Sequence, residues 1–112
     1  MKFAYDIVIA GSGMVGAALA CALGDSGLKV AVLDRRPPEP LPENGYDLRV
    51  SAITLASVAI FKAVGAWEAV QPRAAPVREM HVWDATGTGS IHFDAAEIGE
   101  PCLAYIIENS VM

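Results

Sequence analysis

The chain has 112 residues, 54% hydrophobic and 19% charged, which fits one domain and excludes a disordered tail. Eight Lys and Arg against thirteen Asp and Glu give a net charge of −5, which argues against a general affinity for nucleic acid or anionic lipid. An anionic ligand would have to be held by local donors.

Four residues precede the first strand-like run, so no signal peptide is expected. Residues 5–10 form a short apolar run that reads as a strand buried on both faces, as in a parallel sheet. A Gly-rich turn over 11–16 leads into an Ala- and Leu-rich helix over 14–23, closing at Gly24 or Gly27. The apolar stretch over 11–24 is the longest in the chain and too short to span a bilayer. Residues 28–34 read as a second buried strand, completing a βαβ unit. Residues 35–46 carry Pro37, Pro38, Pro40 and Pro42 and read as an extended surface loop, solvated over 39–43.

A helix is expected over 52–64, with Leu55, Val58, Ala59 and Phe61 on one side and Gly65 as its end. Residues 67–70 add a short turn, and 71–76 read as a breaker. Residues 78–84 and 90–94 flank a Gly-bearing loop and read as a β-hairpin. Residues 103–107 form a further strand, and 108–110 look like the start of a helix. Mean hydropathy is +0.39, high for a small domain, so some apolar surface is expected to belong against something outside this chain.

The chemistry lies in Gly11-Ser12-Gly13-Met14-Val15-Gly16, a G-x-G-x-x-G between a predicted strand and a predicted helix. Gly11 permits the tight turn, Gly13 lets the backbone approach a pyrophosphate, and Gly16 lets helix and strand pack closely. The helix N-terminus adds free N–H groups and partial positive charge, and Ser12, Met14 and Val15 belong to the same phosphate-binding turn. Asp34 ends the second strand, 18 residues after Gly16, where a carboxylate accepts hydrogen bonds from ribose hydroxyls. An acid there disfavours a 2′-phosphate; Arg35 and Arg36 beside it are either phosphate neighbours or solvated loop charges. This unit alone does not separate FAD from NAD.

The run YDIVIAGSGMVG over 5–16 resembles the opening of the flavin-dependent aromatic hydroxylases, and among them the ubiquinone-biosynthesis hydroxylases of the 2-octaprenyl-6-methoxyphenol hydroxylase type. DLRVSAI over 47–53 resembles the segment that carries that family's flavin-contacting Arg, and VGAW over 64–67 its LG-x-W helix end. VWDA over 82–85, FDA over 93–95 and IIEN over 106–109 resemble its VWDA, FDA and IVEN run. The resemblance covers nearly the whole chain. It implies an α/β architecture: a Rossmann-like βαβ FAD-binding unit of the GR2-type flavoprotein hydroxylase fold, followed by the first antiparallel strands of a substrate domain, and incomplete.

The implied division is 1–76 as the N-terminal part of the FAD-binding domain, 77–107 as the start of the substrate-domain sheet, and 108–112 as the start of a helix returning to the FAD domain. It implies further that Gly11, Gly13 and Gly16 bind the FAD pyrophosphate and Asp34 the ribose. Most relatives carry Glu at the Asp34 position. Arg49 would approach the flavin or pyrophosphate, or else pair with Asp47 at the surface. Asn109 would lie beside the cofactor, or else cap a helix. The family's later Gly-Asp flavin motif and most of its substrate pocket lie beyond residue 112, so the chain reads as an N-terminal fragment, inactive alone.

The parent reaction would use O2 and NAD(P)H on a prenylated phenol. The implied location is cytoplasmic and peripheral to the inner membrane, with contact to the membrane or to a ubiquinone-biosynthesis complex. No residue within 1–112 is expected to act as a catalytic acid or base. His81 and His92 lack a third metal ligand at suitable spacing and read as ordinary sheet histidines. Trp83 and Phe93 read as core residues, with an aromatic-substrate pocket as the alternative. Cys21 and Cys102 lie outside any CxxC pattern and read as free thiols of a reducing compartment, Cys21 as inert packing. Two other readings stay open: an NAD-linked dehydrogenase or other two-dinucleotide flavoprotein, and a non-catalytic, self-associating fragment.

Overall fold

The structure is a computed structural model that describes residues 1–38, 40–41 and 43–112; Glu39 and Pro42, which fall in the expected Pro-rich loop, lie outside the described residues. Strand β1 (Ile7–Ala10) and strand β2 (Val30–Leu33) pair in parallel, Ile7 opposite Val30 and Ala10 opposite Leu33. Helix α1 (Met14–Ala22) makes the crossover. Gly27, at φ +76°, turns the chain towards β2, a conformation that costs glycine little. Both strands were expected to be buried on two faces. Only Ile9 is buried, while Val8, Val32 and Leu33 are exposed, because α1 covers one face of this two-stranded sheet and, among the described residues, no layer covers the other.

The next element differs from expectation. Residues 52–54 belong to strand β3 (Val50–Thr54), and helix α2 (Leu55–Ala63) starts only at Leu55. The Thr54 side chain accepts the Ser57 N–H at 3.3 Å, so Thr54 is the helix N-cap. The β-branched Ile53 and Thr54 sit in a ladder against strand β7 (Ala104–Glu108). Gly65 ends α2 at φ +77°, and helix α3 (Trp67–Val70) follows. The expected breaker resolves into a 3-10 turn over Gln71–Arg73 and a strand, β4 (Ala75–Val77). Pro76 is tolerated there because β4 is an edge strand in the order β3-β7-β4.

Strand β5 (Glu79–Trp83) and strand β6 (Ser90–Asp94) form the expected hairpin, a sheet of their own. Met80 opposes Phe93 and Val82 opposes Ile91, so these four side chains share one face. That face is exposed and carries no second layer, and Trp83 on the other face is 66% exposed. Trp83 and Phe93 therefore do not fill the core as expected. Cys21 is also exposed rather than packed, whereas Cys102 is buried. After β7 the chain makes a 3-10 turn over Asn109–Val111, where the start of a helix was expected.

The core lies between β7, β3 and α2–α3. Ile53, Val58, Phe61, Trp67, Val70 and Ile107 form one buried cluster, against which Met14, Val111 and Met112 pack. Trp67 meets Tyr105 edge-on at 5.2 Å between ring centroids, a favoured aromatic geometry. The radius of gyration is 18.0 Å, against about 13 Å for a compact domain of this length, which matches the bare hairpin and the uncovered parallel strands.

Candidate functional site

The Gly-rich turn joins the end of β1 to α1 and lies beside the end of β2. Gly11 stands at φ +107° and donates its N–H to Leu33 O at 2.7 Å. Gly13 is the N-cap of α1 and offers no side chain to satisfy the first-turn amides, which are left as free donors. A Cβ at Gly13 would meet nothing within 4 Å, so the turn leaves open space in front of those donors. A Cβ at Gly16 would overlap the Gly11 carbonyl oxygen and come 3.3 Å from Ile9 Cγ2. The two glycines thus do different things: Gly16 lets the turn close, and Gly13 leaves it open.

Asp34 closes the other side. Its Oδ2 accepts both the Ser12 N–H and the Ser12 hydroxyl at 2.7 Å, and its Oδ1 accepts the Arg36 N–H at 3.1 Å. These donors, the Ser12 N–H first, hold its carboxyl well below the usual carboxylate range. The carboxylate therefore ties the strand end to the turn and retains acceptor capacity for a further donor. Ala10, Gly11, Leu33, Asp34, Arg35 and Arg36 line a cleft of about 550 Å³ at this point. The Met14 side chain packs on the core cluster, so only its backbone N–H faces the turn's opening, whereas the Val15 side chain is exposed.

Arg49 and Asn109 lie at the ends of β3 and β7, in the other sheet. The Asn109 N–H donates to Arg49 O at 2.8 Å, and the Ser51 hydroxyl donates to Asn109 Oδ1 at 2.6 Å. Asp47 Oδ1 accepts the backbone N–H of Arg49 at 3.0 Å, so the expected Asp47 contact uses the Arg49 main chain, and the exposed guanidinium makes no ion pair among the described residues. Glu108, Arg73 and Ser51 were not singled out by sequence. Glu108, only 3% exposed, accepts Arg73 Nε at 2.6 Å and Arg73 Nη2 at 2.6 Å. The available signal was a charged residue closing the apolar run that ends at Ile107. His81 and His92 do oppose each other, with ring centroids 5.8 Å apart.

Among the described residues four carboxyls are held below their ordinary range: Asp34 chiefly by Ser12, Asp47 by the Arg49 N–H, Asp84 by the Thr86 N–H, and Glu108 by Arg73. A depressed folded-state value contributes stability that is present above the unfolded value, about 3.9 for Asp and 4.3 for Glu, and is lost below it. The melting temperature is expected to stay level from pH 7 to about 5 and to fall below about pH 4. Asp34→Asn should shrink that fall. A melting temperature that holds or rises down to pH 3 would contradict this assignment.

A family model described as FAD binding domain matches residues 4–108. The chain is 42% identical over 109 residues to 3-demethoxyubiquinol 3-hydroxylase of Escherichia coli K12, across 96% of this chain and 28% of that protein. It is 36% identical over 107 residues to ubiquinone hydroxylase UbiL of Rhodospirillum rubrum, across 96% and 25%. It is 42% identical over 116 residues to a mitochondrial ubiquinone biosynthesis monooxygenase of Xenopus tropicalis, across 96% and 24%. The chain thus spans about a quarter of the length of these relatives. Its fold is similar to that of p-nitrophenol 4-monooxygenase from Pseudomonas putida, with a TM-score of 0.64 at 22% identity, covering 99% of this chain and 28% of that one. Among the described residues no helix is long and apolar enough to cross a membrane.

Proposed function

We propose, because the chain belongs to the FAD binding domain family, that it is the part of a flavin-dependent aromatic monooxygenase that grips the nucleotide end of FAD. The observation that carries this reading is the uncapped N-terminus of α1, with Gly13 open in front of it and the Asp34 carboxylate beside it. These are donors for a pyrophosphate and an acceptor for a ribose, and they fit the group. The N–H groups of Gly13, Met14, Val15 and Gly16 would hold the phosphates. Asp34 would accept from the ribose, Arg35 would flank it, and Arg49 and Asn109 would meet the cofactor from the second sheet.

The names of the three relatives point to ubiquinone hydroxylation or ubiquinone biosynthesis. The whole protein is accordingly read as hydroxylating a prenylated phenol of that pathway. FAD, when bound, supplies O2 activation and transfer of one oxygen to the ring, the other leaving as water while NAD(P)H is oxidised. Residues 1–76 would serve the cofactor, the hairpin of β5 and β6 would begin the substrate sheet with its apolar face turned towards it, and β7, which pairs with β3 and β4, would return the chain to the cofactor side ahead of 108–112. The whole protein is read, from the family resemblance, as cytoplasmic and, because a prenyl tail is lipidic, as working against the inner membrane or within a biosynthetic complex.

The test is a titration of the purified chain with FAD and, in parallel, NAD, followed by quenching of flavin fluorescence and by calorimetry. Saturable binding of one FAD per chain is expected. Binding of NAD without FAD would move the assignment to a dehydrogenase, and a folded chain that binds neither would sink it. A second reading, self-association, is favoured by the exposed apolar face of Met80, Val82, Ile91 and Phe93. Sedimentation separates the two: a monomer carrying stoichiometric FAD counts against self-association as the function.

A further inference from the structure

Residues 45–49 have no regular structure, and the side chains of Tyr46 and Leu48 are exposed, so packing does not set the position of this segment. Hydrogen bonds do. Arg73 Nη2 donates to Gly45 O at 3.0 Å, and its guanidinium stacks over the Tyr46 ring at 4.9 Å. Glu108 Oε1 accepts the Asp47 N–H at 2.6 Å. Asp47 in turn accepts the Arg49 N–H, and Arg49 O accepts the Asn109 N–H. Arg73 and Glu108 are joined through two N–H donors, a fork that fixes direction as well as distance. The main chain of Arg49 is thus held at both its N–H and its C=O, and its guanidinium makes no ion pair among the described residues.

We infer that Arg73 and Glu108 are positioning residues that set the Arg49 and Asn109 backbones for the cofactor. The inference rests on the FAD reading above and goes beyond it, since neither residue faces the Gly-rich turn. An apolar pair of similar volume would stabilise a shielded site at least as well as an ion pair. What the charged fork adds is a fixed geometry for the 45–49 segment and for the residue that follows Glu108.

The experiment is a double-mutant cycle on FAD affinity in the purified chain: wild type, Arg49→Ala, Glu108→Gln and the double variant. Glu108→Gln is expected to weaken FAD binding about tenfold, and the loss in the double variant should fall well short of the product of the two single losses, because Glu108 acts in part through Arg49. Additive losses, or full affinity in Glu108→Gln, overturn the inference. An Arg49→Ala chain that binds FAD like wild type overturns it too and leaves the FAD reading standing, whereas a wild-type chain that does not bind FAD removes both.

Amide hydrogen exchange supplies a second readout. Faster exchange at Arg49 and Asn109, with the α1 amides unchanged, is expected in Glu108→Gln and, should that variant not fold, in Arg73→Lys, which keeps the charge and loses the fork. Unchanged exchange at those two amides overturns the inference.

Discussion

Gly13→Ala and Gly16→Ala are expected to separate ligand binding from folding inside one turn. At Gly13 the backbone is extended, with φ −65° and ψ 179°, which alanine adopts without strain, and a Cβ there meets nothing within 4 Å. The loss of a preferred N-cap residue and the reduced freedom of the unfolded chain oppose one another, so stability should stay within about 1 kcal/mol of wild type. The methyl group would nevertheless occupy the space through which a pyrophosphate approaches the free amides. FAD affinity should fall at least about tenfold, equivalent to about 1.4 kcal/mol.

At Gly16 the added carbon collides with the Gly11 carbonyl and crowds Ile9 Cγ2. Neither neighbour is a flexible side-chain end, so α1 must move away from β1, at a cost of about 3 kcal/mol on the scale of overpacked sites. Thermal unfolding and FAD titration on both variants check this. Equal losses of stability in the two would contradict the division of labour.

The parallel pair and its turn were legible because every local signal agreed: an apolar run, Gly spacing that only a tight turn requires, and an acid at the next strand end. The hairpin was legible for the same reason. The helix expected over 52–64 began three residues too early because Ala52, Ile53 and Thr54 suit either state locally, and only β7, fifty residues further on, makes them a strand. Residues 75–77 were hidden by Pro76, which reads as a breaker until an edge position accommodates it. The hairpin aromatics were misplaced because apolar alternation reports that a face seeks cover and does not say whether this chain supplies it.

Within the site, Gly11, Gly13, Gly16 and Asp34 announced themselves by spacing. Arg73 and Glu108 did not, because a pair joining residues 35 positions apart leaves no local pattern. Ser12 was read only as a member of the turn. Its link to Asp34 follows from the short carboxylate, which reaches back to the turn and brings the Ser12 N–H and hydroxyl to the same oxygen.

Ile107→Ala is expected to destabilise the chain strongly and to weaken FAD binding without touching the site. Ile107 is 1% exposed near the end of β7, the middle strand between β3 and β4, and among the described residues it belongs to a buried cluster of six side chains. Truncating a buried Ile to Ala typically costs about 2–5 kcal/mol, comparable with the whole stability of a domain this small. The same cluster is what Met14 packs on at the start of α1 and what Val111 and Met112 pack on just after Asn109. It therefore joins the phosphate-facing turn to the Arg49–Asn109 edge, and loosening it should release both together.

Ile91→Ala is the matched control. The same atoms are removed from a side chain that is half exposed on the uncovered hairpin, where substitutions usually stay within about 0.5 kcal/mol. Urea unfolding should show the midpoint collapsing for Ile107→Ala and holding for Ile91→Ala. FAD affinity measured at low temperature, where residual folded Ile107→Ala persists, should still fall. If the folded fraction of that variant binds FAD like wild type, the cluster supports the fold alone, and the turn and the second sheet act independently.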